Sequence, residues 1–333
     1  MGVHALRAAA VVAALAAGTL GARPVAAQDT HLVLVVGLSG DDDYGARFRG
    51  WATTIHEAAV GRLGVSEANV TWLGDGRPVP ATAASIRSAL TRIAQRAGPE
   101  DRVLVVLIGH GTEREGKASF NLTGPDLTPT ELGLMLDQLA PRRVAVVNTG
   151  SASGGFIPGL AGPGRTVITA TRSGRENNET WFAGFFADAL AKDGSDLDKD
   201  GRISLYEAFE YARREVNRYY DEKKLLVTEH ALLDGDGDGE GTMEPAGEQG
   251  DGLVAGTFYV GGGARAAAAQ AAAGDDPVLR GLLGERTRLE ERVAALRARK
   301  AEMEALAYER ELEELLVALA LKNREIREHG GGG

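Results

Sequence analysis

Short apolar runs alternate with amphipathic stretches along the first 260 residues. Apolar runs rich in β-branched residues predict buried strands, and they occupy residues 31–37, 69–73, 103–108, 144–148 and 165–171. Apolar residues at helical spacing predict helices over residues 44–62, 82–97, 128–139, 181–192 and 205–224. Residues 117–122 predict a small hairpin arm, and residues 256–260 predict a last strand. This alternation predicts an α/β fold with a doubly wound, mostly parallel sheet and helices on both faces.

The pattern changes at both ends of the chain. Residues 1–27 have a positive Arg7, an apolar run over 8–20 and small residues at 25–27, which is typical of a secretory signal peptide. We therefore expect the α/β domain at 28–262 and no transmembrane segment after cleavage. Residues 263–275 are rich in alanine and glycine and predict a linker.

Residues 276–329 carry leucines at helical spacing among Glu, Arg and Lys. This pattern predicts a C-terminal arm that is either one long helix or a helical hairpin turning near 303–307. Two roles remain open for the arm: packing on its own domain, or self-association or binding of a partner helix. Residues 330–333 are glycines and predict a disordered tail.

Composition narrows the partners and the chemistry. The chain has a net charge of −10 and no basic stripe, which argues against nucleic acid as a partner. It has no cysteine, which excludes disulfides, thiolate metal sites and a cysteine nucleophile. A secreted chain without cysteine fits a bacterial periplasm or exterior.

Two of the predicted strands end in residues that carry chemistry. The strand at 103–108 runs into His110 and Gly111, and the strand at 144–148 runs into a small-residue loop with Ser151 and Ser153. Parallel strands bring their carboxyl ends to one edge of a sheet, where open α/β folds place their sites. We therefore expect His110 and the serines to face one another across a cleft.

This order of strand, His-Gly, strand and small-residue loop resembles the caspase-like peptidases, nearest to the legumain-like and bacterial caspase-like members. The second family motif reads Ala-Cys-x-Ser-Gly-Gly, and residues 150–155 read Gly-Ser-Ala-Ser-Gly-Gly. The resemblance implies that His110 is the general base and that Ser151 stands where the family has its cysteine. It also implies that residues 170–180, with Arg172, Arg175 and Glu179, form a wall of the substrate pocket.

Replacing the thiol leaves three interpretations of the His110–Ser151 pair. Serine is far less acidic than cysteine, so the site can be inactive and the domain a scaffold or a module that binds peptide or protein. Alternatively, Ser151 is a nucleophile of a serine-dependent peptidase, with His110 as base and Gly111 as an oxyanion donor. Both side chains can also be purely structural. A relaxed serine-hydrolase elbow at Ser153 would require His230 as its base.

The most specific local motif lies at residues 196–207, which fit the twelve-residue EF-hand loop. The predicted calcium ligands are Asp196, Asp198, Asp200, the Arg202 carbonyl, Ser204 and Glu207. A second, weaker site is expected at Asp234, Asp236, Asp238 and Glu240, with Glu244 as an alternative to Glu240 because Pro245 occupies the twelfth position. We expect calcium to be structural rather than catalytic.

Overall fold

The computed structural model of the chain describes residues 29–139, 143–262, 273–274, 276–298, 300 and 303–330. The predicted signal peptide, most of the predicted linker and residues 331–333 of the predicted tail lie outside these ranges. The strands are β1 (Thr30–Val36), β2 (Val70–Gly74), β3 (Arg102–Ile108), β4 (Gly111–Arg114), β5 (Lys117–Phe120), β6 (Arg143–Asn148), β7 (Arg165–Thr169) and β8 (Leu232–Asp234). The helices are α1 (Asp42–Glu57), α2 (Ala83–Arg96), α3 (Pro129–Leu136), α4 (Ile157–Leu160), α5 (Phe182–Ala191), α6 (Leu205–Lys223), α7 (Gly250–Ala255), α8 (Pro277–Ala298) and α9 (Ala305–Gly330).

Six of the strands form one sheet in the order β2-β1-β3-β6-β7-β8. The first five run parallel, and β8 pairs antiparallel with β7. Alternate residues of β1 enter two different cores: Leu34 packs with residues of α1, α5 and α6, whereas Val35 packs with residues of α2 and α3. Burial on both faces explains why these strands are apolar throughout rather than alternating. The predicted α/β class, with a mostly parallel sheet between helices, is confirmed.

The hairpin arm is also present, as β4 and β5. Its two-residue turn consists of Glu115 and Gly116, with φ angles of 54° and 75°. Positive φ at both turn positions suits the right-handed twist of the two strands. The hairpin places Gly111 at its first position, directly after His110.

The prediction of a last strand over residues 256–260 is wrong. The sheet ends with the three-residue β8, and Gly256 lies at the end of α7. The residues after Gly256 pair with the loop before α6: the Leu205 N–H donates to the Phe258 carbonyl, and the Val260 N–H donates to the Ile203 carbonyl, both at 2.9 Å. This segment therefore braces the predicted EF-hand loop instead of extending the sheet.

The C-terminal arm is a hairpin of two helices, α8 and α9, and not one long helix. Val293, Leu296, Tyr308 and Leu315 form a small core between them. The arm docks on its own domain through an ion pair between Arg102 and Glu291, whose Nη2–Oε2 distance is 2.7 Å and whose side chains are 2% and 8% exposed. Across the described ranges, every helix is too short or too polar to cross a membrane.

Candidate functional site

The loops after β3 and β6 meet at the carboxyl edge of the sheet, as the sequence predicts. A Cβ atom on Gly111 would lie 2.3 Å from the Ser151 carbonyl oxygen, and one on Gly150 would lie 2.9 Å from the Gly109 carbonyl oxygen. Both distances are far inside van der Waals contact, so only glycine lets the two backbones approach this closely. The loops that carry His110 and Ser151 are therefore in direct contact.

His110 lies against the aromatic face of α1. Its ring is edge-on to Tyr44, with 4.5 Å between centroids, and to Phe48, with 5.1 Å between centroids. Burial lowers the pKa of the His110 imidazole, and the backbone hydrogen bond at Ser39 and the charge of Glu179 only partly oppose this effect. The imidazole is therefore held neutral near pH 7, which is the form a general base requires.

Ser151 is enclosed by neighbouring loops and is only 4% exposed. On one side, the Ala152 N–H donates to the Glu176 carbonyl at 2.8 Å. The loop at 171–176 also packs against Gly154, where a Cβ would lie 2.3 Å from the Ser173 nitrogen. Within the part of the chain that the structure describes, no hydrogen bond joins the Ser151 hydroxyl to the His110 ring.

Ser153 has a structural position. It is fully buried, and its hydroxyl oxygen accepts hydrogen bonds from the N–H groups of Ala170, at 3.0 Å, and Thr171, at 3.1 Å. These bonds tie the loop after β6 to the end of β7. Among the described residues, no hydrogen bond joins His230 to Ser153: the His230 Nδ1 lies 2.6 Å from Glu176 Oε1, and the Ser153 hydroxyl lies 3.2 Å from the Thr171 hydroxyl. The geometry therefore gives no support to a serine-hydrolase elbow at Ser153.

The predicted pocket wall over residues 170–180 is held by internal ion pairs. Glu176 joins Arg172 and His230, with Oε1 distances of 3.0 Å to Arg172 Nε and 2.6 Å to His230 Nδ1. Glu179 pairs with Arg47 of α1. Of the three predicted pocket residues, Arg172 and Glu179 are thus engaged within the chain, while Arg175 is exposed.

The Arg47 guanidinium also stacks on two aromatic rings. It lies 4.5 Å from the centroid of Tyr44 and 4.9 Å from that of Trp181. Such cation–π contacts fix the guanidinium beside the imidazole of His110, to which Tyr44 is also packed. His110 is consequently surrounded by aromatic rings, with a guanidinium beside them.

An open depression of about 540 Å³ lies at the carboxyl ends of β1 and β2. Ser39 lines it and links it to His110 through the Ser39 backbone. Charged side chains of both signs line the rest, among them Asp41, Asp75 and Arg77. Its lining is therefore largely polar and of mixed charge.

The predicted EF-hand loop brings three of its carboxylates together. Oxygens of Asp196, Asp198 and Glu207 all lie within 4.8 Å of one another and could hold a metal ion. Asp200 is not in this group, because its Oδ2 lies 2.6 Å from Arg202 Nη2. The Ser204 hydroxyl donates to Glu207 Oε2 at 2.8 Å and caps α6, so it orients the last carboxylate of the loop.

The second acidic loop also brings three carboxylates together, but not the predicted set. Asp234 and Asp236 lie with Asp251, and their oxygens fall within 4.8 Å. Asp238 and Glu240 are outside the cluster; the Glu240 N–H donates to Asp238 Oδ1 at 2.7 Å, and both residues lie at the surface of the loop.

Asp251, in the first turn of α7, was missed because it lies outside any twelve-residue window beginning at Asp234. Its Oδ1 accepts from the Gly235 N–H at 2.8 Å, and its Oδ2 accepts from the Thr242 hydroxyl at 2.7 Å. The one signal for it is Pro245 at the twelfth loop position, which indicates that the last ligand has to come from elsewhere.

Comparison with known proteins identifies no family for the chain. No protein-family model matches the chain, and no curated protein matches it. Among solved structures, the chain is similar to protein GSU0716 from Geobacter sulfurreducens, with 15% sequence identity and a TM-score of 0.41. The match covers 62% of this chain and 92% of that one. Similarity at this level carries no functional information.

Proposed function

We propose that this chain is a secreted or periplasmic bacterial domain of the caspase/legumain-like type that has lost peptidase activity and binds peptide or protein instead. The observation that carries the proposal is the state of Ser151. This residue stands at the position that the resemblance assigns to the nucleophile, yet it is 4% exposed. A hydroxyl needs a base within hydrogen-bond reach to act as a nucleophile, and the His110 ring is held on the aromatic face of α1 instead.

The binding role is supported by the depression at the carboxyl ends of β1 and β2. It begins at Ser39, next to His110, so it occupies the edge of the sheet where a peptide substrate of an active relative would lie. Asp41, Asp75 and Arg77 offer charges of both signs to a polypeptide. A ligand would therefore be bound beside a site that does not cleave it.

A second candidate function is a serine-dependent peptidase. It is favoured by the direct contact between the loops of His110 and Ser151 and by the lowered pKa of the imidazole. Catalytic hydrogen bonds often form only once substrate is bound, so the geometry of the protein without substrate is compatible with this candidate function. Gly111 would then supply an oxyanion donor from its position against the Ser151 carbonyl.

A serine-reactive phosphonate probe separates the two functions. We expect no covalent labelling of the wild-type protein, as measured by intact-protein mass spectrometry. Labelling of Ser151 that disappears in His110→Ala would show that the protein is a serine hydrolase. A Ser151→Cys variant that gains peptidase activity would show that the cleft is intact and that only the nucleophile was lost.

We propose that calcium is the ion of the two acidic clusters and that it is structural. In the first loop, Asp196 and Asp198 accept backbone N–H groups of the loop, so their carboxylates already face its centre. Burial raises the pKa of the carboxyls of Asp198 and Glu207, and the charge of neighbouring carboxylates adds to this effect. A divalent cation would remove that repulsion, and hard oxygen ligands suit calcium.

Calcium would fix the first turn of α6 to its loop at the first cluster and would connect α7 to the sheet at the second. Glu207 lies in the first turn of α6, Asp234 ends β8, and Asp251 lies in the first turn of α7. Isothermal titration with calcium tests this assignment. We expect two binding sites on the chelator-treated protein, and the absence of any calcium binding would refute the proposal.

A further inference from the structure

A pocket of about 250 Å³ lies between α6 and the segment that leads into β8. Among the described residues, this pocket and the depression at the ends of β1 and β2 have no lining residue in common. Its apolar wall is made of buried residues: Ala170, Phe182, Val216 and Ala231. Met243, which is 44% exposed, lies at its mouth. An apolar cavity of roughly 150 Å³ can hold benzene, so this pocket has room for a small molecule with an aromatic ring.

The buried charged residue of this pocket is Glu229, which is 2% exposed. Its carboxylate accepts the N–H groups of Trp181, at 2.8 Å, and Phe182, at 3.1 Å, and the hydroxyl of Tyr220, at 3.3 Å. These three donors are neutral, and a carboxylate has about four positions for donors. Within the part of the chain that the structure describes, no Lys, Arg or His forms an ion pair with Glu229. A buried carboxylate of this kind is stabilised by a cation.

The basic side chains that line the pocket are already paired with other carboxylates. Arg213 Nη2 lies 2.9 Å from Glu210 Oε2, and His230 Nδ1 lies 2.6 Å from Glu176 Oε1. Arg213 also lies 3.5 Å from Glu244, which is at the mouth of the pocket. Their positive charges are therefore compensated, and the charge of Glu229 is the one that a ligand in this pocket would meet.

We propose that this pocket binds a small primary amine, whose ammonium group donates to Glu229 and whose apolar body lies against Phe182 and Val216. An ammonium group is compact and carries three donors, and a hydrogen bond between two charged groups is stronger than one between neutral groups. The apolar wall accepts an aromatic or aliphatic body. Binding here is a further function, which requires neither the proposed peptide binding nor the proposed calcium sites.

An ammonium group would take the place of a proton on Glu229. Burial raises the pKa of this carboxyl to about 7, so the carboxyl is largely protonated at pH 6. The ammonium stabilises the ionised form, and binding at pH 6 therefore releases the proton. The other titratable or charged groups around Glu229 and the pocket are Tyr220, Glu176, His230, Arg213 and Glu244.

Calorimetric titration of the full chain with three probes at pH 8 tests the class of ligand. Phenethylamine, phenethyl alcohol and hydrocinnamate have bodies of similar size and carry a cation, a neutral hydroxyl and an anion. We expect phenethylamine to bind at least about tenfold more tightly than the alcohol, and hydrocinnamate not to bind. If phenethylamine does not bind, or binds no better than the alcohol, the proposal is wrong.

Three variants locate the bound amine. Glu229→Gln removes the charge, and we expect it to weaken phenethylamine binding at least about tenfold at pH 8. Glu244→Gln makes the same change at the mouth of the pocket, where the side chain is 82% exposed, and should bind as the wild type does. Val216→Phe fills the pocket while Glu229 is kept, and should abolish binding. Circular dichroism checks that each variant is folded.

These variants also overturn the proposal if they behave otherwise. An equal loss in Glu244→Gln and Glu229→Gln would place the amine at the surface. Binding that is unchanged in Val216→Phe would place the amine outside the pocket.

The pH dependence of binding supplies a readout that a purely structural Glu229 would not change. We expect the affinity for phenethylamine to rise about tenfold from pH 6 to pH 8. Titration in two buffers of different ionisation enthalpy should show about one proton released at pH 6 and almost none at pH 8. Because His230 is retained in Glu229→Gln, proton release that persists in this variant would assign it to another group and overturn the proposal.

Discussion

The two acidic loops begin alike and end differently. Each has three aspartates at alternate positions and then a glycine, and in each the first aspartate accepts an N–H five residues later at 3.0 Å: Gly201 in the first loop and Gly239 in the second. The two glycines have φ angles of 82° and 88°. The last carboxylate of the first cluster is Glu207, from the helix that the loop leads into, whereas that of the second is Asp251, from a separate helix.

This difference shows which part of the motif is determined by residues close together in the sequence. The aspartates and the left-handed glycine shape the loop through hydrogen bonds within a few residues, so the sequence alone determines that half. The closing carboxylate depends on what lies nearby in the fold. At the second loop, a Cβ on Gly235 would lie 2.0 Å from the Asp251 carbonyl oxygen, so glycine at this position lets α7 approach.

Of the changes that would sharpen this comparison, removal of the proposed calcium from both loops should have the largest effect on stability. A ligand at a hundred times its dissociation constant stabilises the folded state by about 2.7 kcal/mol per site, so two sites give about 5 kcal/mol. We expect this loss of unfolding free energy in chelator, measured by urea denaturation of the same protein with excess calcium and without. Equal stability in both conditions would show that neither loop is a structural calcium site.

Glu229 is a carboxylate outside both loops. Its effect on stability does not involve metal, so it serves as a reference for the calcium effect. Glu229 is 2% exposed, accepts the N–H groups of Trp181 and Phe182 at the start of α5, and its pKa is raised to about 7, chiefly by burial. Because its folded pKa lies above the unfolded value of 4.5, the folded state holds the proton more tightly. The stability that this proton provides is complete below pH 4.5 and is lost as the pH rises through 7.

We therefore expect a loss of about 3 kcal/mol between pH 4.5 and pH 8 from this group, with the same slope in chelator as in calcium. Glu229→Gln removes that slope, since the amide cannot ionise. The measurement is urea denaturation across this pH range in chelator. If Glu229→Gln kept the wild-type pH dependence of the unfolding free energy, that dependence would come from other groups.

The third prediction tests the calcium site of the first loop independently of the second. Glu207→Gln removes a charge from the Asp196–Asp198–Glu207 cluster, and we expect loss of one calcium site and of about 2 kcal/mol in excess calcium. Asp200→Asn is the matched control, because Asp200 pairs with Arg202 rather than facing the cluster. If Asp200→Asn weakened calcium binding as much as Glu207→Gln, all the predicted ligands of the loop would act together.

The same distinction between local and distant causes explains what the sequence could predict. The strands at β3 and β6 are long, β-branched and apolar on both faces, so their place in the sheet and the meeting of their loops follow from the pattern. The three residues of β8 are too few to show any period, and the segment after Gly256 pairs with the EF-hand loop for reasons that lie in the tertiary structure.

At the candidate site, the sequence correctly predicts that the loops of His110 and Ser151 meet, but not the surroundings of either side chain. Ser151 is enclosed because the loop at 171–176 packs against Gly154, and His110 faces Tyr44 and Phe48 because α1 packs on β1, the neighbour of β3 in the sheet. Both facts depend on contacts between segments far apart in sequence, which no local pattern encodes.

The smallest effect tests the second loop, where the sequence and the structure disagree about the last ligand. Asp251→Asn keeps the size of the side chain, and its amide oxygen can still accept the Gly235 N–H, so in chelator we expect a loss of only about 1 kcal/mol of stability. The charge is gone, however, and isothermal titration should show one calcium site instead of two. Glu240→Gln, at the ligand position that the sequence predicts, should leave both sites. Loss of a site in Glu240→Gln but not in Asp251→Asn would mean that calcium reorganises the loop towards the twelve-residue pattern, and that the two loops close in the same way after all.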